Sequence, residues 1–299
     1  MKLKLFFLIW LFASSCLVYL PELAARTVTD QLGRQLVVTG DPRRIVSLAP
    51  SITEILFALG RQDQLKGVTQ FSDYPPEAQG LPKVGSYVRL DLEKIVALKP
   101  DLCFAIKDGN PRVLVSRLES LGIPVYAVDP RDLDSVMETI LEIGGLLNAM
   151  TRAHAVVEDM RARIEHVRAV VAGTSLRPNL FFQIGVNPIV SVGTGTFIHE
   201  LILLAGAKNL AQGPTLYPRF SREQILGLSP DILIITSMAR GASFEEVKRE
   251  WTQWPDLPVV KNDRIFVVDS NLFDRPSPRL VDALELLVEI IHPDALKKR

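Results

Sequence analysis

Side chains suited to gripping a small molecule gather in loops that follow apolar runs. In the first half these are Phe71 in QFSDYPP, Tyr87 and Arg89 in GSYVRLD, and Lys107, Asp108 and Asn110 in IKDGNP. In the second half they are Asn187 in GVNPI, Tyr217 and Arg219 in LYPRFS, and Asn271, Phe273 and Arg275 in SNLFDRPSPR. Aromatic faces stack and exclude water, while amides and guanidinium groups fix polar substituents. Bond-breaking chemistry is not indicated. The chain has no Gly-x-Ser-x-Gly, no Walker-type loop and no Gly-x-Gly-x-x-Gly; GTGTF at Gly193 reads as a turn before a helix. The four histidines, His154, His166, His199 and His292, are scattered, and His154 and His166 fall on different faces of one helical segment. Asp73, Asp129 and Asp269 follow strand ends without a nucleophile or base beside them. No catalytic residue, metal ligand or cofactor is assigned.

A second pattern is a frame used twice. In LEKIVALKPD, Glu93 precedes Leu98, Pro100 and Asp101; in SREQILGLSPD, Glu223 precedes Leu228, Pro230 and Asp231 at the same spacing. Each Glu opens a helix, where the positive end of the helix dipole favours an anion. Each Pro-Asp pair precedes an apolar run.

The elements that must position these residues alternate between strand and helix. RIVSLA reads as a strand, after which Ser51 or Thr53 caps a helix that stops at Gly60. KGVTQ, a helix over Leu92 to Leu98, DLCFAI, a helix over Pro111 to Leu121 and PVYAVD follow. This alternation implies parallel sheets covered on both faces. From Thr151 to Val171 the pattern becomes one long amphipathic helix with Ala153, Val157, Met160, Ile164, Val167 and Val171 on its buried stripe. Alternation then restarts: NLFFQIG, NPIVSVG, helices over Phe197 to Leu204 and Glu223 to Leu228, DILIITS, a helix near Phe244 to Trp251, RIFVVD, and a last helix from Pro278 to Ile291. The predicted fold is α/β, with two similar lobes around parallel-type sheets joined by one long helix. Loops at the carboxyl ends of the strands would face each other across a cleft. The expected divisions are a leader at 1–25, an N-terminal lobe at 26–149, the helix at 150–172 and a C-terminal lobe at 173–299.

The leader reads as a signal peptide: Lys2 and Lys4, an apolar run from Leu5 to Leu20, Pro21, then Ala24 and Ala25 before a cleavage point. Lipidation at Cys16 is the minor alternative. The chain of 299 residues carries 34 basic and 34 acidic residues, and loss of Lys2, Lys4 and Glu22 with the leader leaves a net charge near −1, no footprint for nucleic acid. Cys103 is then the sole cysteine, so no internal disulfide forms; it reads as a buried hydrophobe.

Seven segments, RIVSLAPSITEILFALG, FSDYPPEA, LEKIVALKPDL, LESLGIPVYAVD, NLFFQIGVNP, SREQILGLSPDILIIT and FDRPSPR, together resemble the periplasmic cobalamin-binding proteins of ABC importers, from about Arg44 to the C-terminus. The resemblance implies capture of a corrinoid between the lobes by a monomer. It also implies delivery to a permease dimer with its ATPase, with Glu93 and Glu223 at the lobe tips meeting permease arginines. Onto the ligand site it carries Phe71, Tyr87, Lys107, Asn187, Tyr217, Asn271 and Arg275. Tyr87, Ile106 and Tyr217 stand where that family carries tryptophan, Val190 replaces an aromatic, and Asn271 stands where an acid can occur. Haem, with Tyr87 as an iron ligand, and ferric siderophores, with Arg89, Arg219 and Arg275 as a basic cleft, are carried by relatives of the same fold. An exported two-domain α/β enzyme is the alternative of another class.

Overall fold

The structure, a computed structural model, describes residues 25–236, 244–293 and 295. The leader therefore lies outside the described residues except for Ala25, the first residue of a strand. In the first half the elements are β1 (Ala25–Thr29), β2 (Gln35–Thr39), β3 (Ile45–Ser47), α1 (Pro50–Ala58), β4 (Leu65–Gly67), α2 (Leu92–Ala97), β5 (Leu102–Ile106), α3 (Arg112–Ser120), β6 (Val125–Val128) and α4 (Leu133–Leu146). The long helix α5 (Met150–Ala172) follows. Then come β7 (Asn179–Gln183), β8 (Gly185–Val186), β9 (Ile189–Val190), α6 (Phe197–Leu204), β10 (Lys208–Asn209), β11 (Arg219–Phe220), α7 (Arg222–Leu228) and β12 (Ile232–Ile235). The chain ends with α8 (Phe244–Trp251), α9 (Pro258–Lys261), β13 (Ile265–Val267), α10 (Ser270–Phe273) and α11 (Leu280–Ile291).

Two four-stranded parallel sheets form, ordered β4-β3-β5-β6 and β10-β7-β12-β13. Counted within each half, both orders are 2-1-3-4, so the repetition in sequence is a repetition of topology. Their central strands are buried along their length because helices cover both faces, and alternate residues feed different cores. Leu102 and Phe104 of β5 face a core that runs through both lobes, whereas Cys103 and Ala105 face one confined to the first lobe. Leu180 and Phe182 of β7 join the shared core, and Phe181 turns to the outer core of the second lobe.

Helix α5 makes the core continuous. Its buried residues are Ala153, Val157, Met160, Ile164, Val167 and Val171, the stripe read from the sequence. At 23 residues it spans about 35 Å, and it packs on α1 and α4 on one side and on α6 and α11 on the other. Arg163 adds contacts to Asp282 and Glu285 of α11, each at 2.6 Å. No described helix is long and apolar enough to cross a membrane.

The repeated frame resolves into two separate jobs. Asp101 accepts from the backbone N–H groups of Arg43 (2.7 Å) and Arg44 (3.0 Å), and its own N–H donates to the Arg44 carbonyl. Asp231 accepts from the Asn179 N–H at 2.8 Å while its N–H donates to the Asn179 carbonyl. Each Asp thus ties the start of the third strand to the start of the first. Lys99 and Ser229, one residue before Pro, both adopt positive φ, at 48° and 49°, which turns the chain from helix to strand. Glu93 and Glu223 take no part in these ties: both are exposed, in the first turns of α2 and α7.

Two local readings change. Helix α1 begins after Ala49 with Pro50 at its first position and has no side-chain cap, so neither Ser51 nor Thr53 caps it. Proline pre-sets helical φ and moves the start forward. Thr53 instead bonds to Ser47 and Ser72, each at 2.9 Å. Helix α4 has no counterpart in the pattern read from the sequence.

Candidate functional site

Loops at the carboxyl ends of both sheets enclose a cleft of about 720 Å³, within the range of small-molecule sites. Phe71, Tyr87 and Ile106 enter from the first lobe, and Val190, Phe197 and Tyr217 from the second. Phe71 meets Tyr87 edge to face, with ring centroids 6.4 Å apart. The Tyr87 ring lies against Gly109, where a Cβ would come within 2.7 Å of it, so only glycine lets the ring settle there. Asn110 fixes the same loop by donating to the carbonyls of Tyr87 and Leu48, each at 2.8 Å.

The charged groups of the wall are coupled in two clusters. At the rim, Arg131 pairs with Asp108 (2.5 Å) and Asp129 (2.7 Å), and Lys107 with Asp129 (2.6 Å). At the floor, Arg275, with its side chain only 6% exposed, reaches across to the first lobe and pairs with Glu54 (2.9 Å) and Asp73 (2.7 Å). The same guanidinium donates to the Phe71 carbonyl and the Asn271 amide oxygen. Ser277 donates to Glu54 at 2.6 Å, and Arg279 approaches it at 3.4 Å while lying over the Tyr74 ring. Burial pushes the Glu54 carboxyl above its usual range, although Arg275, Ser277 and Arg279 pull it down. Burial also pushes Asp274 in the wall up to about 7, against the opposing pull of Arg275 and Thr236. The Tyr217 hydroxyl is held above its ordinary value by burial and by Asp108.

Of the residues expected at the ligand, Phe71, Tyr87, Tyr217, Asn271 and Arg275 line this cleft. Lys107 is not in the lining and acts on it through Asp129. Asn187 lies exposed in the turn between β8 and β9, outside the lining, because the two strands pair as a tight hairpin that carries the turn outward. Arg89 and Arg219 are exposed and also outside it. Sequence reasoning missed Ser51, Arg131, Thr196, Phe197 and Asp274, all of which line the cleft. Position after a strand was the available signal for Arg131, which follows β6, and for Asp274, which follows α10 in the loop beyond β13. Among the described residues no group of His, Cys, Asp and Glu could hold a metal ion, and Cys103 is buried with its thiol pushed up to about 12 by burial.

Comparison with known proteins agrees with this architecture. A substrate-binding lipoprotein of an ABC transporter, the uncharacterized YvrC of Bacillus subtilis, is 31% identical over 278 residues, covering 91% of this chain and 87% of that protein. The crystal structure of the periplasmic vitamin B12 binding protein BtuF of Vibrio cholerae superposes with a TM-score of 0.70 at 30% identity, covering 86% of this chain and 99% of that one. The periplasmic heme-binding protein RhuT from Roseiflexus sp. RS-1 in apo form gives 0.76 at 27% identity, covering 86% and 100%. The periplasmic binding protein family matches residues 45–272, from the first core strand through the helix that carries Asn271 on the cleft wall; the chain belongs to that family.

Proposed function

We propose that this chain is the substrate-binding component of an ABC importer, that it captures cobalamin or a related corrinoid between its lobes, and that it hands the ligand on unchanged. The observation that carries the choice of ligand is the state of the cationic groups. Both guanidinium groups in the described lining, Arg131 and Arg275, already hold two carboxylates each. A ligand with anionic arms would have to break these pairs, and for Arg275, whose pair with Glu54 is buried, removing one partner is costly. A ring bearing neutral carboxamide arms needs no free cation; Phe71, Tyr87, Phe197 and Tyr217 give it apolar faces, and Asn271, Asp108 and Asp129 give it polar partners. The BtuF likeness supports the same reading.

Haem is the second reading. It is favoured by the Tyr87 phenol in the cleft, a side chain of the kind that ligates haem iron, and by the likeness to RhuT. Parallel optical titration with cyanocobalamin, haemin and a ferric siderophore decides among them. One equivalent of cyanocobalamin bound and released unchanged supports the proposal, and haemin binding without corrinoid binding overturns it.

Export to the periplasm on the leader at 1–25, with Cys16 lipidation as the minor variant, a monomeric carrier and divisions at 26–149, 150–172 and 173–299 belong to the same reading. So does docking through Glu93 and Glu223. These residues are exposed and hold equivalent places in two lobes of identical strand order, as a twofold permease requires of a single chain.

A further inference from the structure

The cleft receives the amino end of one helix from each lobe. Ala49, Pro50 and Ser51 at the start of the nine-residue α1 line it from one side, and Gly195, Thr196, Phe197 and Ile198 at the start of the eight-residue α6 from the other. In α1 the Ser51 and Ile52 N–H groups lie ahead of the first helical bond, and no side chain caps them. In α6 the Thr196 hydroxyl takes the His199 N–H at 3.2 Å, which leaves the Phe197 and Ile198 N–H groups. Independently, Ser51 is only 3% exposed, lines the cleft, and its hydroxyl has no hydrogen-bond partner among the described residues. Its oxygen is not among the sealed unpaired polar atoms of the described residues, so the small opening it keeps is onto the cleft. Its neighbours Ser47, Thr53, Thr69 and Ser72 are all bonded to one another.

We propose that Ser51 with the start of α1, and the start of α6 across the cleft, form donor-rich subsites that read carbonyl oxygens of primary carboxamides on the ligand. Helix starts alone would also suit a carboxylate or phosphate. The same wall, however, offers an anion no unpaired guanidinium, and it presents Asp108 and Asp129, whose carboxylate oxygens can accept from an amide NH2. A primary carboxamide answers both, its oxygen toward a helix start and its NH2 toward the carboxylates. This inference rests on the corrinoid reading and names the group by which the ligand is oriented.

The test is Ser51→Ala in the full mature chain, with calorimetric titration of cyanocobalamin, a parallel haemin titration and thermal melting of the ligand-free protein. The expected result is an affinity loss of about tenfold with a melting temperature equal to that of the wild type, because alanine removes no hydrogen bond within the protein. A loss smaller than fivefold overturns the subsite and leaves the corrinoid reading standing. A lowered melting temperature also overturns it, by making the hydroxyl structural. Wild-type protein that binds haemin and not cyanocobalamin overturns the corrinoid reading and the carboxamide assignment with it.

Discussion

Replacing Arg275 by methionine should destabilise the protein by far more than the loss of an ordinary surface ion pair. Its guanidinium joins the lobes, and its partner Glu54 has a side chain only 2% exposed. Without Arg275, Glu54 keeps Ser277 at 2.6 Å and Arg279 at 3.4 Å, which offset part of an uncompensated buried charge but not all. Breaking such a pair from one side costs about 3–5 kcal/mol, whereas Asp73, whose side chain is 41% exposed, returns to water at little cost. For a chain of this size that is a fall of roughly 6–20 °C in melting temperature. Glu54→Leu with Arg275→Met should lose much less than the sum of the single changes, with a coupling of about 2–3 kcal/mol.

Acid provides an internal check. The Glu54 carboxyl already sits above its usual range through burial, and loss of Arg275 removes its largest opposing pull. A carboxyl whose folded pKa exceeds its unfolded value favours folding below the unfolded value, and that advantage is lost as pH rises through the folded one. The Arg275→Met variant should therefore recover part of its deficit relative to wild type between about pH 7.5 and pH 5, with Asp274, which Arg275 also pulls down, adding in the same direction. Urea unfolding of the four proteins at both pH values measures every term. A single-variant loss below about 1 kcal/mol, or a deficit that does not change with pH, would refute the argument that this pair is a buried interlobe tie.

Tyr87→Ala and Tyr217→Ala should each weaken cyanocobalamin binding by more than about 1 kcal/mol, read by calorimetry, since each removes an aromatic face from the cleft; unchanged affinity in both removes them from the site. Glu93→Arg with Glu223→Arg should leave ligand affinity intact and block uptake, with partial loss for each single change and docking that weakens as salt rises. Normal uptake by the double variant at wild-type expression would reduce these glutamates to helix-start residues. Asp101→Ala and Asp231→Ala should each cost about 1–3 kcal/mol in urea unfolding, because strand-start N–H groups lose a charged acceptor, with uptake per folded molecule unchanged. A transport defect in the folded fraction would show that the Asp residues do more than anchor strands.

Much of the architecture was legible because its strands are continuous apolar runs, the signature of parallel sheets covered on both faces, and because the stripe of α5 repeats at helical spacing over its whole length. Helix α4 was missed although its Asp132–Ser135 capping box is a local start signal; the reading passed from PVYAVD to the long helix at Thr151 and assigned no element to the tract between them. At the site, residue type and position after a strand found the aromatics. Pairing was out of reach: Arg275 meets Glu54 across 221 positions, a relation set by how the lobes face each other and by nothing local. Ser51 was read as a cap because serine near a helix start usually is one. Pro50 takes the first helical position, which moves the cap to Ala49 and leaves the hydroxyl to face the cleft.

Equilibrium dialysis of the protein against cyanocobalamin and haemin together, at equal concentration, tests most directly that this cleft selects a neutral, amide-bearing ring. The account predicts one equivalent of corrinoid retained and haemin left outside. Retention of haemin in preference to the corrinoid would contradict it and favour the reading in which the Tyr87 phenol binds iron.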